Sequence, residues 1–218
     1  MELYHVLNRG VEKRQIFLDN QDRARFVHDM YEFNDTAPAS NTWRGASGGM
    51  FELRTRTSER IVEIHGWCLM GNHYHLLLSE VVEGGLTRFL RKLNVGYAMY
   101  FNARYKRVGT LFQGRTKKIR INSDAYFLHI LNYIHLNPLD FKKGCASWRS
   151  REIANADSAL KYLDTYRWSS YLDYCGKKNF PSILTTELFA DVFRNYRRAI
   201  RSYIQDIELA PIRPFLLE

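Results

Sequence analysis

Two clusters in this chain of 218 residues have the residue types and spacing to do chemistry. The first is His73-Tyr74-His75. In a strand, side chains alternate between faces, so both imidazoles leave from the same face about 7 Å apart at the backbone. One divalent ion could then bind both. An HxH pair on its own more often serves a structural role than a metal site. Its setting, GWCLMGNHYHLLL, surrounds the pair with apolar residues and speaks against an accident of the surface. The second cluster is Tyr126, His129, Tyr133 and Asn137, spaced three, four and four, which places all four on one face of a helix. An ordinary exposed face would carry Lys and Glu. Taken alone, Tyr133 reads as a half-buried packing residue, as most helix tyrosines are.

Together the clusters contain the parts needed for cutting and rejoining DNA. A tyrosine hydroxyl can attack phosphorus and hold the strand covalently, so a second strand can be joined without ATP. A metal ion would draw charge from the scissile phosphate. On this reading Tyr133 could be the nucleophile, and His73, His75 and Asn137 could hold the ion. Mixed nitrogen and oxygen ligands suit Mg²⁺ or Mn²⁺, with Mn²⁺ more tolerant of imidazole. Tyr126 is the second choice of nucleophile, and His129 is placed to assist proton removal. His65 and His135 are expected to be structural.

These residues need elements to position them. Leu3 to Asn8 reads as a strand and Asp22 to Phe33 as a helix. Ile61 to Leu69 and His73 to Ser79 form two strands around the turn signal Met70-Gly71-Asn72. Leu86 to Tyr105 is a long helix with Leu86, Phe89, Leu90, Leu93 and Tyr97 in one stripe. Thr110 to Ile121 reads as a further strand. Ser123 caps the helix carrying Tyr133, and Pro138 limits it near Asn137. The order predicts an α+β fold, a ferredoxin-like split βαβ antiparallel sheet with helices on one face and the catalytic helix after the last strand. A basic final helix from Thr185 or Thr186 to about Ile207 forms a C-terminal appendage. The expected organisation is a catalytic domain over 1–144, with an insertion at about 34–60, and a helical, DNA-binding extension over 145–218.

Lysine and arginine total 32 against 23 acidic residues, a net charge of +9, which favours a polyanionic partner. The strand Thr110 to Ile121 concentrates this charge. Arg115 and Lys117 share one expected face, Lys118 and Arg120 the other, and all four could hold phosphates beside the cut. Tyr105, Phe112 and Trp67 could stack bases, against the plainer alternative that they are core aromatics. Cys68, Cys145 and Cys175 are too widely spaced for a disulfide framework or a structural zinc site. No apolar run approaches the ~20 residues of a membrane span, so no membrane partner is expected and the expected location is cytoplasmic. A homodimer is compatible with the sequence.

Four stretches carry a resemblance to a known family: YHVLNRGVEKRQIFLD (Tyr4 to Asp19), WCLMGNHYHLLL (Trp67 to Leu78), YFNARYKRVGTLFQGRTK (Tyr100 to Lys117) and YIHLNPL (Tyr133 to Leu139). WSSY (Trp168 to Tyr171) is a weaker fifth. In this order they resemble the REP-associated tyrosine transposases, a branch of the single-tyrosine HUH transposases. The resemblance implies action on single-stranded or hairpin DNA, His73 and His75 as the metal pair, Tyr133 as nucleophile and Asn137 as the amide ligand. It also implies a 5′-phosphotyrosine link beside a free 3′-hydroxyl. The chain begins almost at the first strand, without a short leader. Asn34 to Arg60 and Cys145 to Tyr166 look inserted, and neither is expected to touch the metal or the nucleophile. Two alternatives remain: a protein that binds hairpin DNA without cutting it, and a metal-dependent hydrolase in which Tyr133 only packs.

Overall fold

The structure, a computed structural model, describes residues 1–37, 59–150, 153 and 155–205. Its centre is a four-stranded antiparallel sheet in the order β2-β3-β1-β4, built from β1 (Leu3–Arg9), β2 (Val62–Leu69), β3 (His73–Glu80) and β4 (Lys117–Arg120). Helix α1 (Asn20–Glu32) connects β1 to β2, and α2 (Gly85–Arg104) connects β3 to β4. This is the expected split βαβ arrangement, and the fold is α+β. Alternation along β3 sends Tyr74, Leu76 and Leu78 to one face, where they join Phe26 and Met30 of α1 and Phe89 and Tyr97 of α2 in one apolar cluster.

The opposite face receives α3 (Asp124–Leu136). Ser123 caps it as expected, its side chain accepting from the Tyr126 N–H. Ile130, Leu131 and Ile134 pack on Leu3, Cys68 and Leu77. Burying each such aliphatic side chain contributes about 1.5–3 kcal/mol. The helix comes close because Gly66 has no side chain: a Cβ there would lie 2.9 Å from Leu131 Cδ1. Asn137 ends the helix, and Pro138 leads into a 3₁₀ turn over Asn137–Phe141.

Much of the described chain from residue 145 onward packs against the same α3, while Trp168, Ile183 and Leu184 join the cluster on the other face. A 3₁₀ segment (Ala146–Ser150) is followed by α4 (Ala156–Leu163), α5 (Tyr171–Tyr174), α6 (Glu187–Ala190) and α7 (Tyr196–Gln205). Trp148, Leu160, Tyr171, Phe189 and Ile200 share one apolar cluster with α3. His135 of α3 is locked into this unit, 2.7 Å from Tyr196 Oη and 2.6 Å from Ser170 Oγ.

Two expected elements differ. The final helix is not continuous from Thr185, because Asn195 starts a new helix by accepting the Arg198 N–H, and residues beyond 205 lie outside the described ones. The expected strand Thr110 to Ile121 is reduced to Lys117–Arg120. Pairing is lost because Gly10 pairs with Phe112 and Leu7 with Lys117, so Asn8 and Arg9 face the four residues Gln113–Thr116. The surplus leaves the sheet as a bulged arch, turned by Gly114 at φ 71°. Most of the expected insertion at 34–60 lies outside the described residues. Its stems are joined: Asn34 Oδ1 accepts from both the Ile61 and Val62 N–H groups at 3.0 Å.

Candidate nucleophile and metal site

β3 presents His73 and His75 toward α3, their ring centroids 5.0 Å apart and nearly perpendicular. Tyr133 comes down from α3 with its ring 5.8 Å from that of His75. The phenol and the imidazole pair therefore occupy one side of the sheet and adjoin each other.

Hydrogen bonds hold both imidazoles by Nδ1. His73 Nδ1 lies 2.6 Å from Asn72 Oδ1, which can only accept, so the proton sits on Nδ1 and the lone pair on Nε2. His75 Nδ1 lies 3.0 Å from Nε2 of His5, a residue of β1. The two rings stack at 5.2 Å, and His5 Nδ1 is 3.0 Å from Tyr126 Oη. One proton arrangement readies His75 Nε2 for a metal. His75 donates from Nδ1 to His5 Nε2, and His5 donates from Nδ1 to the Tyr126 oxygen. Outer partners of this kind fix the tautomer and orientation of metal-binding imidazoles. In that arrangement, two Nε2 lone pairs on adjoining rings match the nitrogen-donor chemistry that a divalent ion accepts.

Asn137 is engaged elsewhere. Its Nδ2 donates to the Tyr133 carbonyl at 2.8 Å, and its Oδ1 accepts from Arg149 at 2.5 Å. Its oxygen becomes available to an ion once Arg149 releases it. Arg149 belongs to the Ala146–Ser150 segment, which contradicts the expectation that the Cys145 to Tyr166 stretch avoids the nucleophile. The Trp148 ring packs 5.6 Å from Tyr133, and the Arg149 guanidinium lies 5.7 Å from the Tyr133 ring. Asp140 pins both, accepting from Trp148 Nε1 at 2.8 Å and from Arg149 at 2.6 Å. Tyr133 is consequently 0% exposed, and His73 only 6%. The segment covers the site because it folds straight back from the 3₁₀ turn that follows α3.

The other expected residues are dispersed. Tyr126 stands behind His5 rather than beside His73 and His75, and burial pushes its hydroxyl pKa upward. The His129 ring packs 5.3 Å from that of Tyr203. Lys117 points to the face of His5 and His75, since His75, Leu7 and Lys117 are neighbours across three strands. Lys118 points to the α2 face, where it donates to Thr87 at 3.3 Å. Arg120 pairs with Glu2, and Arg115 sits in the arch rather than on a strand. Trp67 is fully buried, with Phe180 at 5.7 Å, which removes it as a base-stacking surface. Arg104 and Asp22 anchor Tyr105, whereas Phe112 remains partly open. His5 was missed, although one signal pointed to it: a lone histidine within the apolar strand LYHVLN.

Neither a scan against protein-family models nor a search of curated proteins gives a match. Among solved structures the chain is similar to a REP-associated tyrosine transposase bound to a REP hairpin. The TM-score is 0.47 and the identity 13%, covering 84% of this chain and 85% of that one. Nothing about activity follows from a likeness of that degree. Among the described residues, no helix is long and apolar enough to cross a membrane.

Proposed function

We propose that this protein cuts and rejoins single-stranded or hairpin DNA with Tyr133 as nucleophile. The observation that carries the reading is the Tyr133 ring set 5.8 Å from His75, itself adjoining His73. The Tyr133 oxygen attacks phosphorus, the O–P bond forms, and the bond from phosphorus to the 3′-oxygen breaks. The phenolic proton is lost and a proton ends on the 3′-oxygen. The products are a 5′-phosphotyrosine and a free 3′-hydroxyl, and reversal with another 3′-hydroxyl completes strand transfer. His73 and His75 would hold Mg²⁺ or Mn²⁺ through Nε2, with Asn137 as a third donor. The ion would supply charge withdrawal from the phosphate. His5 and Tyr126 keep the His75 tautomer correct. Lys117 holds a flanking phosphate on the same face.

One movement is required. DNA must lift the Trp148–Arg149 cap, and a phosphate competing for Arg149 would at once expose Tyr133 and release Asn137. The covered nucleophile also favours a second reading, DNA binding without cutting. The deciding experiment incubates the protein with Mn²⁺ and a hairpin carrying a single-stranded tail. A protein–DNA adduct that survives a denaturing gel and is absent in Tyr133→Phe supports cutting. Binding with no adduct across many hairpins supports the second reading. Cleavage that persists in Tyr133→Phe means another nucleophile, water or Tyr126.

A further inference from the structure

The face of the sheet opposite Tyr133 contains a groove of about 670 Å³ between α2 and the arch that leads into β4. Clefts that hold small ligands span roughly 300–1,000 Å³. Its apolar lining includes Leu90 and Val95 from α2 and Phe112 from the segment before the arch. Arg91, Arg115 and Lys118 also line the groove, and among the described residues no acidic side chain does. The wall between is fixed by hydrogen bonds: Thr116 Oγ1 accepts from Asn94 at 2.9 Å and from Asn8 at 3.1 Å. Val95 is 52% exposed, so apolar surface lies open beside three cations.

Apolar surface beside cations suits an amphiphilic anion, and a base with its phosphate attached is one. The edge strand offers a route to it. β4 places Lys117 on the Tyr133 face and Lys118 on the groove face, so a polyanionic strand passing over this edge meets a cation on each side. Strands stand about 4.8 Å apart, and Lys117 is two strands from His75, which puts the edge about 10 Å from the metal pair.

We propose that this groove is a second DNA subsite, holding an unpaired nucleotide of the strand whose cut is assigned to Tyr133. The base lies over Leu90, Val95 and Phe112, and its phosphates meet Arg115 and Lys118. The proposal rests on DNA being the substrate, and it adds that the strand wraps around β4 to the far face.

The test compares two exposed positions one turn apart on α2. Val95→Glu puts a negative charge inside the groove. Met99→Glu puts the same charge outside it, at a residue 68% exposed. Binding of a labelled hairpin with a single-stranded tail is followed by fluorescence anisotropy, alongside the tail-less hairpin and Mn²⁺ affinity as a check on folding. Val95→Glu should weaken binding of the tailed hairpin by roughly tenfold or more, the scale of one lost base-stacking platform. Met99→Glu should change it by no more than about threefold, as for one peripheral charge. The tail-less hairpin should not distinguish the two. Arg115→Glu, on the arch, should repeat the Val95→Glu result. Equal losses at Val95 and Met99 would reduce the groove to general charge and overturn the proposal, and so would wild-type affinity in Val95→Glu and Arg115→Glu. The Tyr133 adduct separates the two readings. An adduct with unaffected groove variants sinks the groove alone; a groove effect without any adduct leaves the subsite and removes the cutting.

Discussion

Tyr74 and His75 are neighbours in β3, yet they look into two different interiors. Tyr74 meets Phe26 at 4.8 Å, and Phe26 in turn contacts Phe17 and Tyr97, a packing of rings between the sheet and α1 and α2. His75 meets His5, His73 and Tyr133, a run of polar rings just as deeply buried. Burying polar groups costs free energy unless each is hydrogen-bonded. The first interior is what stability alone would select. The second is more costly to build, and its hydrogen bonds hold the imidazoles of His5, His73 and His75 by named ring nitrogens. Both faces carry apolar packing, α1 and α2 on one and α3 on the other, and the second also buries this run of polar rings.

Substitutions should separate the two faces. Tyr133→Phe removes one oxygen from the polar face, and adduct formation on a denaturing gel should vanish while the denaturation midpoint holds or rises. Phe26→Ala on the apolar face should do the reverse, costing about 3–5 kcal/mol in urea unfolding through the cavity it leaves. At temperatures where this variant remains folded, the adduct yield per folded molecule should match wild type. If Tyr133→Phe unfolds the protein or Phe26→Ala blocks chemistry in the folded fraction, the division between faces is wrong.

His5→Ala should weaken Mn²⁺ binding by about 10–100-fold, the usual cost of losing an outer partner of a metal-binding imidazole. His5→Gln, which can still accept from His75 Nδ1, should recover part of that loss. Mn²⁺ electron paramagnetic resonance reads the affinity without any turnover. Equal affinity in wild type and His5→Ala would mean that His5 only packs. Asp140→Ala removes the anchor of Trp148 and Arg149. Loosening the cap by 1–2 kcal/mol should raise the open population, and with it the initial adduct rate, roughly 5–30-fold. An unchanged rate would show that opening of this segment does not limit the reaction.

The apolar face was legible in the sequence because period two in β3 and period 3.6 in α2 are strong, redundant signals. The same periods placed His73, His75 and Tyr133 on their common side, and Ser123 marked the start of α3. Other features depended on pairing across the chain. His5 joins the site through strand register between β1 and β3, which no local pattern states. The arch at Gln113–Thr116 follows from a count of residues opposite β1, and a single Gly114 did not announce it. Trp148 and Arg149 return to the site only because the 3₁₀ turn after Asn137 directs them there.

The smallest effect concerns pH, at a histidine away from Tyr133. His65 is buried, with Nε2 2.8 Å from Ser79 Oγ and Nδ1 3.2 Å from the Thr185 carbonyl. Burial holds its pKa below the ordinary imidazole value, and nearby Glu63 opposes this without reversing it. Glu63 is 3.7 Å away and partly exposed, so water screens its attraction, which explains why burial wins. The sign follows. The unfolded chain takes up a proton at His65 near pH 6.5 while the folded one resists, so the stabilisation is complete above that pH and is lost as pH falls toward the lower folded value. Unfolding midpoints in EDTA should therefore decline from pH 7 to 5, and less steeply in His65→Gln, whose amide can donate to Thr185 or accept from Ser79 but cannot titrate. Parallel slopes in the two proteins would place this imidazole's folded pKa at its ordinary value. The balance between burial and Glu63 would then be the reverse of the one argued here.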